Sequence, residues 1–539
     1  MSSIAEAASV LLTRGPGSQE LFVVRRDLRL RAFGGFHAFP GGKVAPADAE
    51  EQFRGLPPPN SPAPSGSPED RLSLRRVAAA RELFEETGIL VARRPDSSCV
   101  SSGPDLDHLR RDLILDRLSF GDVLGRLGVL LHLSDFAPVG AFVTPPFSPL
   151  RFDTTFFVVY APPQQQANVW PGDLEAGRWI TAAAMLDEWN RGACLIAPPV
   201  LAILQALRGR PVDEAGARLG AMLSRPPKKG TGPLDSQVPS PFSEVVKACH
   251  PADSIPPIFY APHVQMIPLQ TLALPPSTHT NAYLVGSGPV YLLDPGPSDV
   301  AEQQLLFDAL DVQYALGRHL TAVVLSHQHP DHVGAAAITA QRYGVPIWSH
   351  PLTARALVGR LSVDRELNDG DRLDLGTCPD GGHWELEALH TPGHAAGHLA
   401  FLDSRFGLLF AGDMVSTLSS VVIAPPEGDL AVYLDALRRL RQLDCRLLLP
   451  SHGGPSARPR QLLDECLAHR QEREELLLAT LKTGTKFVTE LAVEMYRGLP
   501  APLMRFAELQ VLAGLQKLQR DGRVAQVHSG QAWGLCARQ

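Results

Sequence analysis

The sequence predicts a multidomain chain: an N-terminal α+β domain, a linker, a second α/β domain and a small helical tail. Three observations point there. The 539 residues exceed what a single hydrophobic core organises and correspond to about three domains. Two Pro/Ser-rich stretches interrupt the chain, "GLPPPNSPAPSGSPED" at 55–70 and "SRPPKKGTGPLDSQVPSPF" at 224–242. Beyond about residue 456, alternating β-rich runs give way to leucine-rich helical periodicity.

In chain order, residues 1–215 mix β-rich runs such as "ELFVVRR" and "TTFFVVYAP" with helical stretches such as "VLAILQALRG". The Pro/Ser-rich segment near 49–72 can bury little and reads as a surface insertion. Residues 216–262 read as a linker. From 263 to 455 a hairpin, "NAYLVGSGPVYLLDPGP", precedes "LTAVVLSH", "GVPIWSH", "WELEALHT", "GLLFAGD" and "CRLLLPSH". These runs bring His or Asp to strand ends, and so to one rim of a sheet. In the tail, 456–539, Leu509, Leu512, Leu515 and Leu518 share a helical face, and "RDGRVAQVHSGQAWGL" can close a small bundle with a β-wing.

Composition excludes several classes. The chain is 44% apolar and 20% charged, with net charge −7, so it has no general attraction for nucleic acid. Seven cysteines, with no C-x-x-C pair, fit a reducing compartment and argue against cysteine-ligated zinc. The segment "MSSIAEAASVLLTR" lacks the basic start and long apolar stretch of a signal peptide. No run approaches the roughly 20 apolar residues of a membrane span. The expectation is a soluble cytoplasmic protein without membrane partners.

The strongest chemical signal is "LSHQHPDHVGAA", which sets His327, His329, Asp331 and His332 just after an apolar strand. Imidazoles two apart in extended chain point the same way, so His327 and His329 can share one ion. Asp331 and His332, past Pro330, can reach another. His394, Asp413 and His452 follow at later strand ends. Seven N/O ligands without cysteine suit two zinc ions, with manganese or iron as alternatives. His350, His390 and His398 read as structural.

Over about 265–455 these residues resemble the metallo-β-lactamase superfamily, whose H-x-H-x-D-H motif matches positions 327–332. The resemblance implies an αβ/βα sandwich with two Zn²⁺ at one rim. His327, His329 and His394 would hold the first ion, Asp331, His332 and His452 the second, and Asp413 would bridge. A water between two such ions becomes hydroxide near neutral pH, and Asp331 would orient it. The tail resembles the winged-helix extension of β-lactamase-like endoribonucleases that cleave single-stranded RNA, as do "DPGP" and "GDLAVYLDALRRL". That favours phosphodiester cleavage. Hydrolysis of hydroxyacylglutathione or of an acyl-CoA thioester is the alternative, because the tail's 12 Lys/Arg exceed its 9 Asp/Glu by only three.

In the first domain, "RELFEETGI" (81–89) puts Glu82, Glu85 and Glu86 on one helical face. Crowded carboxylates repel, and a hard divalent cation relieves that repulsion. Together, "FPGGK" (39–43) and "RELFEETGI" resemble the two halves of a Nudix box. Asp48 stands where the box has its first Glu, and 32 residues (49–80) separate it from Arg81 where seven are expected. A loop absorbs the surplus at small entropic cost. "VTPPFSPLRFDTTFFVVYAP" (143–162) resembles the coenzyme A diphosphatase branch, which has an enlarged box. The likeness, over roughly 5–210, implies an α/β/α sandwich cleaving a small-molecule diphosphate, such as a coenzyme A or nucleoside diphosphate derivative. Mg²⁺ or Mn²⁺ would sit on the catalytic Glu85 and Glu86, with Glu82 assisting. The sequence thus predicts a bifunctional metal-dependent hydrolase, with a ligand-sensing first domain as the competing reading.

Overall fold

The computed structural model describes residues 4–30, 33–49, 68–145, 148, 150–223, 258–378, 380–527 and 532–536. Most of the expected insertion and most of the expected linker lie outside these residues. The chain divides into two compact units, 1–262 and 263–539. No helix among the described residues is long and apolar enough to cross a membrane.

The first unit is built on a mixed sheet. Its longest pairing is the parallel ladder between Ala5–Thr13 and Phe152–Tyr160. Strand alternation sorts side chains onto two faces. Val10, Leu12, Phe22, Val24, Phe157 and Val159 face a core shared with helix Pro68–Thr87. Their neighbours Leu11, Leu21, Val23, Phe156 and Val158 face a second core with helices Ala182–Asn190 and Pro198–Ala206. The result is three layers, helix–sheet–helix. Helix Ala215–Leu223 extends this domain beyond the expected boundary at 215, because Ala215 and Leu219 are buried in the second core.

Ahead of its tail, the second unit is built on two large sheets. One runs in the order Arg365–Glu366, Ile347–Ser349, Leu320–Val324, Val290–Leu293, His279–Val285, Val264–Gln270. The other runs Arg372–Thr377, His383–His390, Leu399–Asp403, Leu408–Ser416, Leu447–His452. Helices Val300–Ala315 and Ala336–Tyr343 flank the first sheet, and Leu430–Arg441 the second.

In the tail, helices Pro459–Leu481, Val488–Met495 and Met504–Arg520 are followed by the antiparallel pair Val524–Val527 and Ala532–Leu535. The buried stripe of Met504–Arg520 is Ala507, Val511, Leu515 and Leu518, while Leu509 and Leu512 are only half-buried. The predicted leucine stripe is therefore rotated. The physical reason is that this helix packs on two sides: Val511, Leu515 and Leu518 enter the tail core, and Ala513 enters the core under the second sheet.

Candidate metal centres

Four polypeptide segments of the second unit deliver the predicted ligands to one place. The strand Leu320–Val324 runs out into the 327–332 segment, His394 follows strand His383–His390, Asp413 lies within the second half of Leu408–Ser416, and His452 ends Leu447–His452. Ligand atoms of His327, His329, His394 and Asp413 lie within 4.8 Å of one another, as do those of Asp331, His332 and His452. All seven predicted residues are in these two groups. His327 and His329 stand in the same group, on a stretch that lies beyond the regular strand. The strand ends at Val324, and the two rings stand at 81° to one another. They converge through different ring nitrogens, His327 Nε2 lying 2.9 Å from His329 Nδ1.

The outward partners of each ring assign its tautomer. His394 Nδ1 donates to the Val422 carbonyl at 2.8 Å, and His452 Nδ1 donates to the His279 carbonyl at 2.9 Å. His332 Nδ1 donates to Asp294 Oδ2 at 3.0 Å. Ser326 Oγ donates to Asp294 Oδ2, which leaves it to accept from His327 Nδ1 at 2.9 Å. His329 turns Nε2 to Glu427 Oε1, 3.2 Å away. Inward, therefore, five imidazoles present lone pairs, and His329 Nδ1 is only 2.9 and 3.0 Å from those of His327 and His394. Lone pairs so close repel unless a cation sits among them.

Asp413 lies between the groups. Its Oδ2 is 3.5 Å from both His332 Nε2 and His394 Nε2, and its Oδ1 is 3.4 Å from His452 Nε2. His332 Nε2 and Asp413 Oδ1 are buried without a hydrogen-bond partner. Buried polar atoms without partners are rare, and here they face the common centre. The donor set and its orphaned atoms fit two divalent ions.

The electrostatics agree. Burial, then the neighbouring imidazoles His332, His329 and His394, keeps His327 well below the ordinary histidine value. Burial outweighs the opposing Asp413 charge at His394 and brings it to about 3. Ligand imidazoles must be neutral, so these rings need not shed a proton to bind. Burial also depresses His332 and His452, but Asp413 together with Asp331 and Asp294 at His332, and with the His279 carbonyl at His452, raises both. There a metal ion and a proton compete for the same lone pair.

Three histidines expected to be structural lie apart from the ligand groups. His398 is fully buried and its Nε2 accepts the Asp413 N–H at 3.0 Å. A Cβ on Gly412, at φ +52, would stand 2.4 Å from that same Nε2. His350 and His390 stack at 4.0 Å. Sequence reasoning missed Asp294, Ser326 and Glu427 as supports. Asp294 had a signal: it ends the apolar run "YLLD" as the ligands end theirs.

In the first unit, strand Gly41–Lys43 lies against helix Pro68–Thr87, so the two halves of the split motif meet. Glu86 Oε2 accepts the Gly41 N–H at 2.8 Å. A Cβ on Gly42 would stand 2.4 Å from the Glu82 carboxylate, so any larger residue there displaces that carboxylate. Arg81 Nε and Nη2 grip Asp48 at 2.7 and 3.0 Å, while Nη1 reaches Glu82 at 3.0 Å and Glu85 at 3.2 Å. Asp48 is 1% exposed, so it orients Arg81 from behind and does not face solvent. Burial pushes Glu82 up to about 7 and Glu86 up to about 8. Such carboxylates are ready to exchange a proton for a cation. Glu82, Glu85 and Glu86 are not among the groups that converge within 4.8 Å.

Comparison with known proteins places the second unit. Residues 276–452 match the metallo-beta-lactamase superfamily, and 488–533 the beta-lactamase associated winged helix domain. The lactamase-like protein adaB of Aspergillus niger is 28% identical over 264 residues, 46% of this chain and 76% of that protein. The beta-lactamase-like protein 2 homolog of Caenorhabditis elegans is 28% identical over 46% of this chain and 81% of its own length. The atrochrysone carboxyl ACP thioesterase of Emericella nidulans is also 28% identical, over 46% and 76%. Among solved structures, a metallo-beta-lactamase family protein of Thermus thermophilus is similar at 27% identity and TM-score 0.43, over 51% of this chain and 99% of that one. A NUDIX hydrolase of Alicyclobacillus acidocaldarius is similar at 30% identity and TM-score 0.35, over 40% and 97%. The chain thus carries a metallo-β-lactamase-superfamily, metal-dependent hydrolase domain followed by a β-lactamase-associated winged helix.

Proposed function

We propose that the chain is a bifunctional hydrolase whose second unit hydrolyses an acyl thioester at a two-zinc centre. The observation that carries the centre is the convergence of five imidazole lone pairs and two carboxylates on one pair of sites. Divalent ions there would supply an acidified water and polarise the scissile carbonyl. This chain's own residues do the rest. Asp331 Oδ2, 3.5 Å from His452 Nε2 and 3.8 Å from His332 Nε2, is placed to orient a water and accept its proton. Water adds to the carbonyl carbon, the C–S bond breaks, and a carboxylic acid and a thiol leave.

The choice of thioester over RNA rests on the tail. Lys486 pairs with Glu494, Lys517 with Glu474 and Asp521, and Arg520 with Asp429. Arg470 and Arg473 donate to the Val421 and Met495 carbonyls. These five of the tail's 12 Lys/Arg are engaged within the unit, whereas a single-stranded nucleic acid needs a free basic groove. A thioesterase among the relatives supports the same reading. Single-stranded RNA cleavage is the second reading, favoured by the winged-helix match. Wild-type and Asp413→Ala protein, assayed side by side on an acyl-CoA and an RNA oligonucleotide, separate the two. Thioester turnover lost in the variant supports the proposal, and RNA cleavage without thioester turnover refutes it.

For the first unit we propose a Nudix-type diphosphate hydrolase using Mg²⁺ or Mn²⁺ on Glu85 and Glu86, with Glu82 assisting. The meeting of Gly41–Gly42 with the glutamate helix supports it. Coenzyme A and nucleoside diphosphate derivatives are the substrates to test. Turnover abolished by Glu85→Gln supports an enzyme, and binding without turnover in wild type supports a ligand sensor.

A further inference from the structure

The tail touches the metal site from behind. The segment 417–429, "TLSSVVIAPPEGD", supplies the outward partners of two first-group ligands: the Val422 carbonyl for His394 and the Glu427 carboxylate for His329. Two tail helices hold this same segment. From Pro459–Leu481, Arg470 donates to the Val421 carbonyl, one residue before the His394 anchor. From Met504–Arg520, Gln510 Nε2 donates to the same carbonyl at 2.9 Å. Arg520 closes the other end, with two bonds of 2.8 and 2.7 Å to the Asp429 carboxylate.

The grip continues inward. Asp429 N–H donates to the Gly393 carbonyl, next to His394. The Arg470 guanidinium lies 5.3 Å over the Tyr433 ring, whose hydroxyl donates to the Met414 carbonyl beside Asp413. Arg470 is only 7% exposed. Its Nη2 donates to the Val421 carbonyl and its Nη1 reaches Gln510 Oε1 at 3.5 Å, so the two side chains hold that carbonyl together.

We propose that Arg470 and Gln510 are positioning residues for the first metal site, so that the winged-helix tail is a structural part of the metal centre. They act through Val421–Val422 on the orientation of His394. Removing outer supports of metal ligands typically costs about 10–100-fold in metal affinity. The inference rests on the two-ion reading of the centre, and wild-type metal uptake tests that reading separately.

The experiment is Co²⁺ binding to the full chain, followed by its visible absorption and by chelator competition. Wild type is compared with Arg470→Met, Gln510→Leu and, as a control within the tail, Arg473→Met. Arg473 donates to the Met495 carbonyl and does not reach 417–429. Wild type that takes up no Co²⁺ overturns the two-ion reading itself. If it does bind, Arg470→Met and Gln510→Leu are expected to weaken one ion at least tenfold and shift its spectrum. Arg473→Met should stay within twofold, and turnover in the first two should fall in kcat more than it rises in KM. Should Arg470→Met fail to fold, Gln510→Leu alone carries the test, because it keeps the Arg470 guanidinium and its bond to the Val421 carbonyl, losing only the 3.5 Å contact between the two side chains. Affinity and spectrum unchanged in Gln510→Leu, or lowered equally in Arg473→Met, would overturn the proposal.

Discussion

Asp294→Asn perturbs the centre without touching a ligand. Asp294 accepts three bonds, from Ser326 N–H at 2.7 Å and Ser326 Oγ at 2.6 Å, and from His332 Nδ1 at 3.0 Å. All three partners are donors, so asparagine must point its NH₂ at one or more of them. If the amide nitrogen faces Ser326 N–H, a buried donor is left unsatisfied, at about 1–3 kcal/mol. If it faces His332, Nδ1 must accept, and the ring proton moves to Nε2, where it blocks the inward lone pair. Outer-support losses of this kind cost about 10–100-fold in metal affinity. Because Asp294 touches His332 directly and His327 only through Ser326, the ion at Asp331, His332 and His452 should weaken most. Chelator titration with metal analysis should show one ion lost early and the other near wild type. Equal retention of both ions, or selective loss at His327, His329 and His394, would refute the assigned tautomers.

Other outcomes follow from the first unit. Glu82 and Glu86 have folded-state values of about 7 and about 8, above the unfolded carboxylate range. The folded state then binds more protons between about pH 4.5 and 8, so metal-free stability should fall as pH rises through that window. Thermal melting of the full chain should show this slope, flattened by Mn²⁺ and by Glu86→Gln, and a flat metal-free profile would contradict it. Gly42→Ala places a methyl 2.4 Å from the Glu82 carboxylate. It should abolish diphosphate hydrolysis while leaving the second unit's activity unchanged, as paired assays on one sample would show.

How much of this was legible in sequence depended on where each residue gets its role. The ligands stood out because His and Asp at the ends of apolar runs serve no core purpose, and their clustering at 327–332 compounds that signal. Their supports did not, because the Val422 and His279 carbonyls act through the backbone, which carries no sequence signature. The same holds for the tail. The periodicity of Leu509 to Leu518 reads as one buried stripe, yet Ala513 is buried against a separate core, a tertiary choice that periodicity cannot encode. In the sequence, Asp48 stands where the box has its first Glu. Burial and the two-point grip on Arg81 give a shorter carboxylate a defined task there.

The central claim is a centre that holds two ions through shared use of Asp413. Metal analysis of the purified full chain, with Mg²⁺ and Mn²⁺ excluded, tests it most directly. The account predicts about two zinc-like ions per chain, in keeping with tetrahedral N/O sites, and loss of both when Asp413→Ala is combined with His329→Ala. Full retention of two ions by that double variant would contradict it.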